Sequence, residues 1–171
     1  INLLKNKPHD HILDVATGTA DFAISALKIN PVKITGVDIS EGMLAVGRKK
    51  LAEKGLENKI ELLYGDSEHL PFPDNTFDAS TVAFGVRNFE NLDNGLAEIQ
   101  RVLKDGGKLV VLEFSKPTVF PVKQFYKFYF NFMLPAVGKL ISGDNSAYTY
   151  LPESVNAFPD GNMFLERLKK A

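Results

Sequence analysis

Cysteine is absent from this sequence, which excludes disulfide bonds and thiolate metal sites. A basic excess is absent too, because the formal net charge is −1, and this argues against a general nucleic-acid-binding protein. The three histidines, at positions 9, 11 and 69, lack the carboxylate spacing of a metal site. No run of roughly 18 apolar residues marks a membrane span. We therefore expect a globular protein of the cytoplasm.

Apolar runs of strand length alternate with helical patterns along the first two thirds of the chain. Strands that are apolar on both faces and separated by helices indicate a parallel sheet covered on two sides, a doubly wound α/β fold. We predict strands at 11–17, 33–40, 59–66, 77–85 and 108–114. We predict helices at 21–29, between the cap Ser40 and Gly55, and at 92–107, where Gly106 and Gly107 end the helix.

The segment ILDVATGTADFAI, residues 12–24, combines a strand, a turn of small residues and the start of a helix. Small side chains at Ala16, Gly18 and Ala20 let a ligand approach the backbone closely, and the N-terminus of the helix suits an anionic group. Small turns also serve plain strand–helix packing. The turn alone is therefore a weak indication of a nucleotide site.

Carboxylates at the ends of the predicted strands strengthen this indication. Asp38 ends strand 2, 20 positions after Gly18, where an acid can accept hydrogen bonds from ribose hydroxyls. Asp66 ends strand 3, where it can meet an adenine amino group beside the backbone of Ser67. Asp14, inside an apolar strand, needs donors or a cation. These groups converge on the crevice where open parallel sheets bind ligands.

Two cofactors suit this crevice. A dinucleotide favours G-x-G-x-x-G, but the sequence has Gly18, Ala20 and Ala23 at these positions, and no tyrosine is followed four residues later by lysine as in short-chain dehydrogenases. S-adenosylmethionine has no pyrophosphate, and a carboxylate such as Asp14 or Asp21 would help to hold its ammonium group. These features favour S-adenosylmethionine over NAD.

Several blocks of the sequence resemble the menaquinone/ubiquinone-biosynthesis C-methyltransferase family, which belongs to the class I S-adenosylmethionine-dependent methyltransferases. The blocks are LDVATGTAD, VDISEGMLAVGRKK, GDSEHLPFPDNTFD, FGVRN, LAEIQRVLKDGGKLVVLEFSKP and YTYLPESVNAFPDG. The first ones are shared by many methyltransferases, whereas FGVRN and the last block are more specific. The resemblance implies C-methylation of demethylmenaquinol, or of a related polyprenyl hydroquinone, on a Rossmann-like sheet with strand order 3-2-1-4-5.

The resemblance also implies particular cofactor contacts, at Thr19, Asp38, Asp66 and Ser67. Ala83 stands where the family has a serine, so it offers only its backbone. The family chain starts before residue 1 and continues beyond residue 171 with further strands. We therefore expect a fragment of a single methyltransferase domain, 1–171, in which 116–171 is a helical segment on the substrate side. The activity of such a fragment is an open question.

Methyl transfer to a ring carbon requires an electron-rich ring, which a hydroquinone becomes when one hydroxyl is deprotonated. Arg87 is our first candidate for stabilising the phenolate, because its charge is permanent; a loop salt bridge is the alternative. Asn88 is a candidate for orienting the same hydroxyl, and Tyr148 for lining the ring or relaying a proton. We interpret His69 as a surface residue rather than a base.

Residues 120–141 contain five phenylalanines and two tyrosines, and residues 116–141 contain four lysines and no acid. We predict one helix with an aromatic stripe through Tyr126 and Tyr129 and a kink at Pro135. The stripe is either the core of a lid or a peripheral membrane contact at the inner face. Strand 5 would be an exposed edge in a fragment, which favours self-association. A methyltransferase with another small acceptor, and a non-catalytic module that binds S-adenosylmethionine, remain alternatives.

Overall fold

A computed structural model describes residues 2–4, 9–129 and 146–171. The chain divides into two compact units: an N-terminal unit of Ile1–Glu113, grouped with Ala171, and a C-terminal unit of Phe114–Lys170. The expectation of one domain over 1–171 stays a prediction.

The N-terminal unit is built on a parallel sheet with the strand order β3-β2-β1-β4-β5, as predicted. Its strands are β1 His11–Val15, β2 Lys33–Asp38, β3 Ile60–Tyr64, β4 Phe77–Ala83 and β5 Leu103–Leu112. The central strand β1 is buried from Ile12 to Val15 because both of its faces are covered. β5 lies at an edge of the sheet, as expected; self-association through it stays a prediction.

Three helices connect these strands, and their ends follow local chemistry. α1 spans Asp21–Ala26, and a 3-10 turn over Leu27–Ile29 replaces the last turn of the predicted helix. α2 spans Glu41–Lys54; it begins at Ser40, whose side chain accepts the Met43 N–H, and it ends at Gly55 in the left-handed region, both as predicted. α3 spans Leu92–Val102 and is capped by the Asn91 side chain.

The predicted end of α3 at Gly106 and Gly107 is wrong. The helix ends at Val102, because Leu103 already pairs with Phe77 of β4. Both glycines lie inside β5, between this first pair and the regular pairing that starts at Lys108. A glycine pair is a common helix end, but here the irregular start of a strand uses it.

The C-terminal unit contains helices joined by irregular segments in the part of it that the structure describes. Its helices are α4 Val122–Phe128, α5 Ser146–Ala157 and α6 Asn162–Lys170. Val155 and Phe158 are buried, and the Phe158 ring packs on Phe164 with 5.1 Å between centroids. The predicted kink at Pro135 and the aromatic stripe after Tyr129 lie outside the described residues. Among the described helices, none has the length and apolarity needed to cross a membrane.

Candidate functional site

A cavity of about 810 Å³ lies in the N-terminal unit, at the carboxyl ends of four neighbouring strands. This is the edge at which open parallel sheets bind ligands. Most of the predicted site residues line it: Gly18, Thr19, Asp21, Asp38, Asp66, Ser67, Ala83 and Asn88. The topology therefore brings together side chains that are far apart in sequence, although their individual roles stay predictions.

The turn between β1 and α1 forms one wall of the cavity. Ala16, Gly18 and Ala20 all have left-handed backbone, with φ of 54°, 57° and 65°. Such strain in non-glycine residues persists only where the surroundings enforce it. A Cβ on Gly18 would lie 3.1 Å from the Met43 methyl carbon, so glycine also avoids a close contact between the turn and Met43. The small residues of this turn therefore allow its left-handed backbone, in addition to the predicted close approach of a ligand.

Asp38, the last residue of β2, ties this turn to α2. Its Oδ2 accepts the Gly18 N–H at 2.8 Å and its Oδ1 accepts the Ser40 N–H at 2.8 Å. Each carboxylate oxygen has two lone pairs, so Asp38 can accept further hydrogen bonds from a ligand. The spacing of 20 residues therefore reflects a contact within the protein as well as a candidate ligand contact.

Asp21 lines the cavity but is already paired. Its Oδ1 accepts a hydrogen bond from Lys50 Nζ at 2.8 Å, and its Oδ2 accepts one from Thr19 Oγ1 at 2.6 Å. The hydrogen bond from Lys50, followed by that from Thr19, holds the pKa of Asp21 below its ordinary value. A charge that is already balanced by Lys50 attracts a ligand ammonium group less strongly.

Asp14 is not among the residues that line the cavity. Its side chain is buried in β1 and accepts hydrogen bonds of 2.6 Å from the hydroxyls of Thr17 and Thr81. Burial raises the pKa of Asp14 to about 6, although the two hydroxyls act in the opposite direction. The expected direct contact of Asp14 with a cofactor therefore has no support from this geometry. Thr17, which donates one of these hydrogen bonds to Asp14, does line the cavity.

Arg87 is held by a carboxylate that the sequence interpretation had not identified. Its Nη1 donates to Glu113 Oε1 at 2.8 Å and also to the carbonyl oxygen of Phe84. The two charged side chains are only 10% and 5% exposed, and Arg87 is not among the cavity-lining residues. This arrangement matches the salt-bridge alternative and gives no support to Arg87 as the direct stabiliser of a phenolate. Asn88, the next residue, does line the cavity.

The remaining residues to place are two that the sequence interpretation considered and three that it missed. Tyr148 belongs to α5, but its side chain lies outside the described residues. The His69 side chain is 84% exposed, as expected for a surface residue. Phe22, Phe84 and Phe89 line the cavity and were missed, because phenylalanine in a hydropathy pattern indicates core. The structure distinguishes Phe84 from a core residue, because its side chain is 43% exposed and its backbone is left-handed, with φ of 58°.

Comparison with known proteins agrees with this geometry. The model of the ubiE/COQ5 methyltransferase family matches residues 1–171. A demethylmenaquinone methyltransferase of Bacteroides fragilis is 53% identical over 164 residues, covering 95% of this chain and 67% of that protein. The ubiquinone/menaquinone biosynthesis C-methyltransferase UbiE of Geobacter sulfurreducens is 48% identical over 155 residues, covering 90% of this chain and 60% of that protein.

The fold of this chain is also similar to that of a solved methyltransferase structure. A SAM-dependent methyltransferase from Aquifex aeolicus superposes with a TM-score of 0.59 at 27% identity, covering 64% of this chain and 59% of that one. The chain spans about two thirds of the length of the curated relatives it matches. The resemblance noted from the sequence blocks is confirmed: the chain belongs to the ubiE/COQ5 methyltransferase family.

Proposed function

We propose that the cavity of the N-terminal unit binds S-adenosylmethionine and that the protein methylates a ring carbon of a polyprenyl hydroquinone, demethylmenaquinol or a close relative. The observation that carries this proposal is Asp38, which lines the cavity and anchors the strained turn beside it. The names of the relatives support the substrate class.

The residues present fit this cofactor. A volume of about 810 Å³ is within the range of small-molecule sites, roughly 300–1,000 Å³. Asp38 offers acceptors for the ribose hydroxyls, and Asp66 with the backbone of Ser67 suits an adenine ring. Ile39 and Met43 add apolar surface to the lining. A dinucleotide is a poorer fit, since the turn lacks two of the three glycines of the pyrophosphate motif.

The chemistry separates what the cofactor supplies from what the protein must do. S-adenosylmethionine, when bound, supplies an electrophilic methyl group. The protein must place the acceptor ring, favour its phenolate and exclude water, and positioning alone contributes up to about 7–11 kcal/mol. Asn88 is the cavity-lining polar group after β4 that is suited to orienting a ring hydroxyl. Arg87, paired with Glu113, would act by holding the segment that carries Asn88.

A polyprenyl tail is insoluble in water, so its enzyme requires an apolar surface or the membrane. The chain around α4 offers exposed apolar side chains: Phe120 and Phe125 are 76% and 72% exposed. Lys123 lies on the same short helix and is exposed as well. We propose that this segment contacts a membrane surface rich in anionic lipid.

Two measurements test the proposed function in sequence. Calorimetry should detect binding of S-adenosylhomocysteine and no binding of NAD. Transfer of a labelled methyl group to a soluble demethylmenaquinol analogue should then depend on added S-adenosylmethionine. Binding without transfer to this acceptor, but with transfer to another small molecule, would refute the proposed substrate and retain the cofactor. Binding of NAD alone would refute both.

A further inference from the structure

Lys50, on the third turn of α2, reaches back to the turn between β1 and α1. Its Nζ donates to the carbonyl oxygen of Thr19 at 2.9 Å, to Thr19 Oγ1 at 3.2 Å and to Asp21 Oδ1 at 2.8 Å. Thr19 Oγ1 in turn donates to Asp21 Oδ2 at 2.6 Å. The ammonium group thus contacts two cavity-lining residues, although Lys50 itself is not among the lining residues.

The reach of Lys50 depends on how closely α2 approaches the turn. Gly47 lies three residues earlier, on the same face of the helix. A Cβ added to Gly47 would lie 2.7 Å from a methyl carbon of Leu62 and 3.3 Å from the carbonyl carbon of Thr19. A larger residue at 47 would therefore push the helix away. Gly47 and Lys50 of the segment GRKK therefore act together. Gly47 lets α2 approach the turn closely, and the ammonium group of Lys50 then contacts the turn.

The turn needs contacts of this kind because its backbone is strained. Ala16 and Ala20 are in the left-handed region, which alanine adopts only when its surroundings enforce it. Asp38 fixes one side of the turn through the Gly18 N–H, and Lys50 fixes the other side through Thr19. A ligand in the cavity would share the oxygens of Asp38 with the turn, whereas Lys50 contacts the turn without lining the cavity.

We propose that Lys50 is a positioning residue for the cofactor turn, and this inference rests on the proposed binding of S-adenosylmethionine. Its bonds to Thr19 and Asp21 hold residues 16–21 in the binding shape before the cofactor arrives. A preformed site binds more tightly, because the observed affinity is proportional to the fraction of molecules that already have the binding-competent conformation. Asp21 is, in this account, the counter-ion of Lys50 rather than of the cofactor.

The test compares Lys50→Met, which keeps the apolar stem and removes the ammonium group, with Lys49→Met at the exposed neighbouring position. Calorimetry measures the Kd for S-adenosylhomocysteine. Amide hydrogen exchange of the ligand-free protein reports the Gly18 and Ala20 amides, which are bonded to Asp38 and to the Thr17 carbonyl. We expect Lys50→Met to weaken binding roughly tenfold and to speed exchange at both amides. Lys49→Met should match the wild type, and Lys50→Arg should recover part of the affinity.

The two measurements distinguish failure of this inference from failure of the proposed function. A wild type that does not bind S-adenosylhomocysteine contradicts the proposed function, and with it the cofactor role of Lys50. A wild type that binds, together with a Lys50→Met variant of equal affinity, overturns the inference alone, whatever its exchange rates are. If Lys50→Met does not fold, Asp21→Asn removes the partner charge instead. Weaker binding and faster exchange in that variant support the inference, and unchanged values overturn it.

Discussion

The two units of the chain differ in how far their described apolar side chains are buried. In the N-terminal unit, Ile12, Leu44 and Ile99 are fully buried between the sheet and its helices. In the C-terminal unit, the segment around α4 leaves Phe120 and Phe125 mostly exposed, whereas Val155 and Phe158 further along are buried. Among the residues that the structure describes, apolar side chains therefore form a core in the N-terminal unit, whereas several of those around α4 stay on the surface. Composition alone does not distinguish these uses; burial does.

The largest expected effect comes from the core of the N-terminal unit. Leu44→Ala removes a fully buried side chain, and we expect it to lower the free energy of unfolding by about 2–5 kcal/mol. Phe125→Ala removes a larger but exposed side chain and should change this free energy by no more than about 0.5 kcal/mol. Urea unfolding of both variants measures the difference. Equal losses would mean that the comparison between the two units is wrong.

The second effect concerns the cavity of the N-terminal unit. Asp38→Ala removes the acceptor of the Gly18 and Ser40 amides and a candidate ribose contact. We expect binding of S-adenosylhomocysteine to weaken by about 1.5–3 kcal/mol, the range for hydrogen bonds to a charged group. Asp105→Ala, at an exposed position of β5, is the matched control and should bind as the wild type does. Unchanged affinity in Asp38→Ala would remove Asp38 from the site.

Two carboxylates, one in each unit, should give pH dependences of opposite sign. Burial raises the folded-state pKa of Asp14 from 3.8 to about 6, so its neutral form stabilises the fold below about pH 4. This contribution, on the order of 3 kcal/mol, is lost as the pH rises through about 6. Burial also acts on Asp160, but hydrogen bonds from Lys116 and Ser115 outweigh it and lower the pKa. The charged form of Asp160 therefore stabilises the fold above about pH 4, and this contribution is lost in more acidic solution.

The measurement is urea unfolding between pH 3 and pH 8 for the wild type, Asp14→Asn and Asp160→Asn. The difference between the wild type and Asp14→Asn should change between about pH 4 and pH 6. The difference for Asp160→Asn should change only below about pH 4. Two differences with the same pH dependence would contradict this assignment.

The smallest expected effect concerns the exposed phenylalanines around α4 in the C-terminal unit. Phe120→Ala combined with Phe125→Ala should reduce sedimentation with phosphatidylglycerol vesicles severalfold, because aromatic side chains anchor proteins at the interface. Val32→Ala, at a 56% exposed apolar position of the N-terminal unit, serves as the control and should have no effect. Vesicle binding that is absent in the wild type, or equal in all variants, would refute the membrane contact.

Features that depend on neighbours along the chain were predictable from the sequence. Ser40 and Gly55 mark the two ends of α2, because a hydroxyl cap and a left-handed glycine act within one helical turn. The alternation of apolar strands with helices indicated the parallel sheet, and the family resemblance gave its order. The cluster of Asp38 and Asp66 at one edge followed from these two facts, since parallel strands all end on the same side of a sheet.

Features that depend on distant contacts were decided only by the tertiary structure. Gly106 and Gly107 could end a helix equally well, and only the pairing of Leu103 with Phe77 placed them in β5. Glu113 pairs with Arg87 across 26 residues, and Lys50 contacts Asp21 across 29. A sequence pattern predicts that a charged side chain is exposed to solvent. It cannot identify a partner distant in the chain, because the packing of strands and helices determines which charged side chains meet. The sequence by itself therefore determined the family, the sheet and the edge that carries the cavity, whereas the packing decided which charged side chains line the cavity and which contact the turn without lining it.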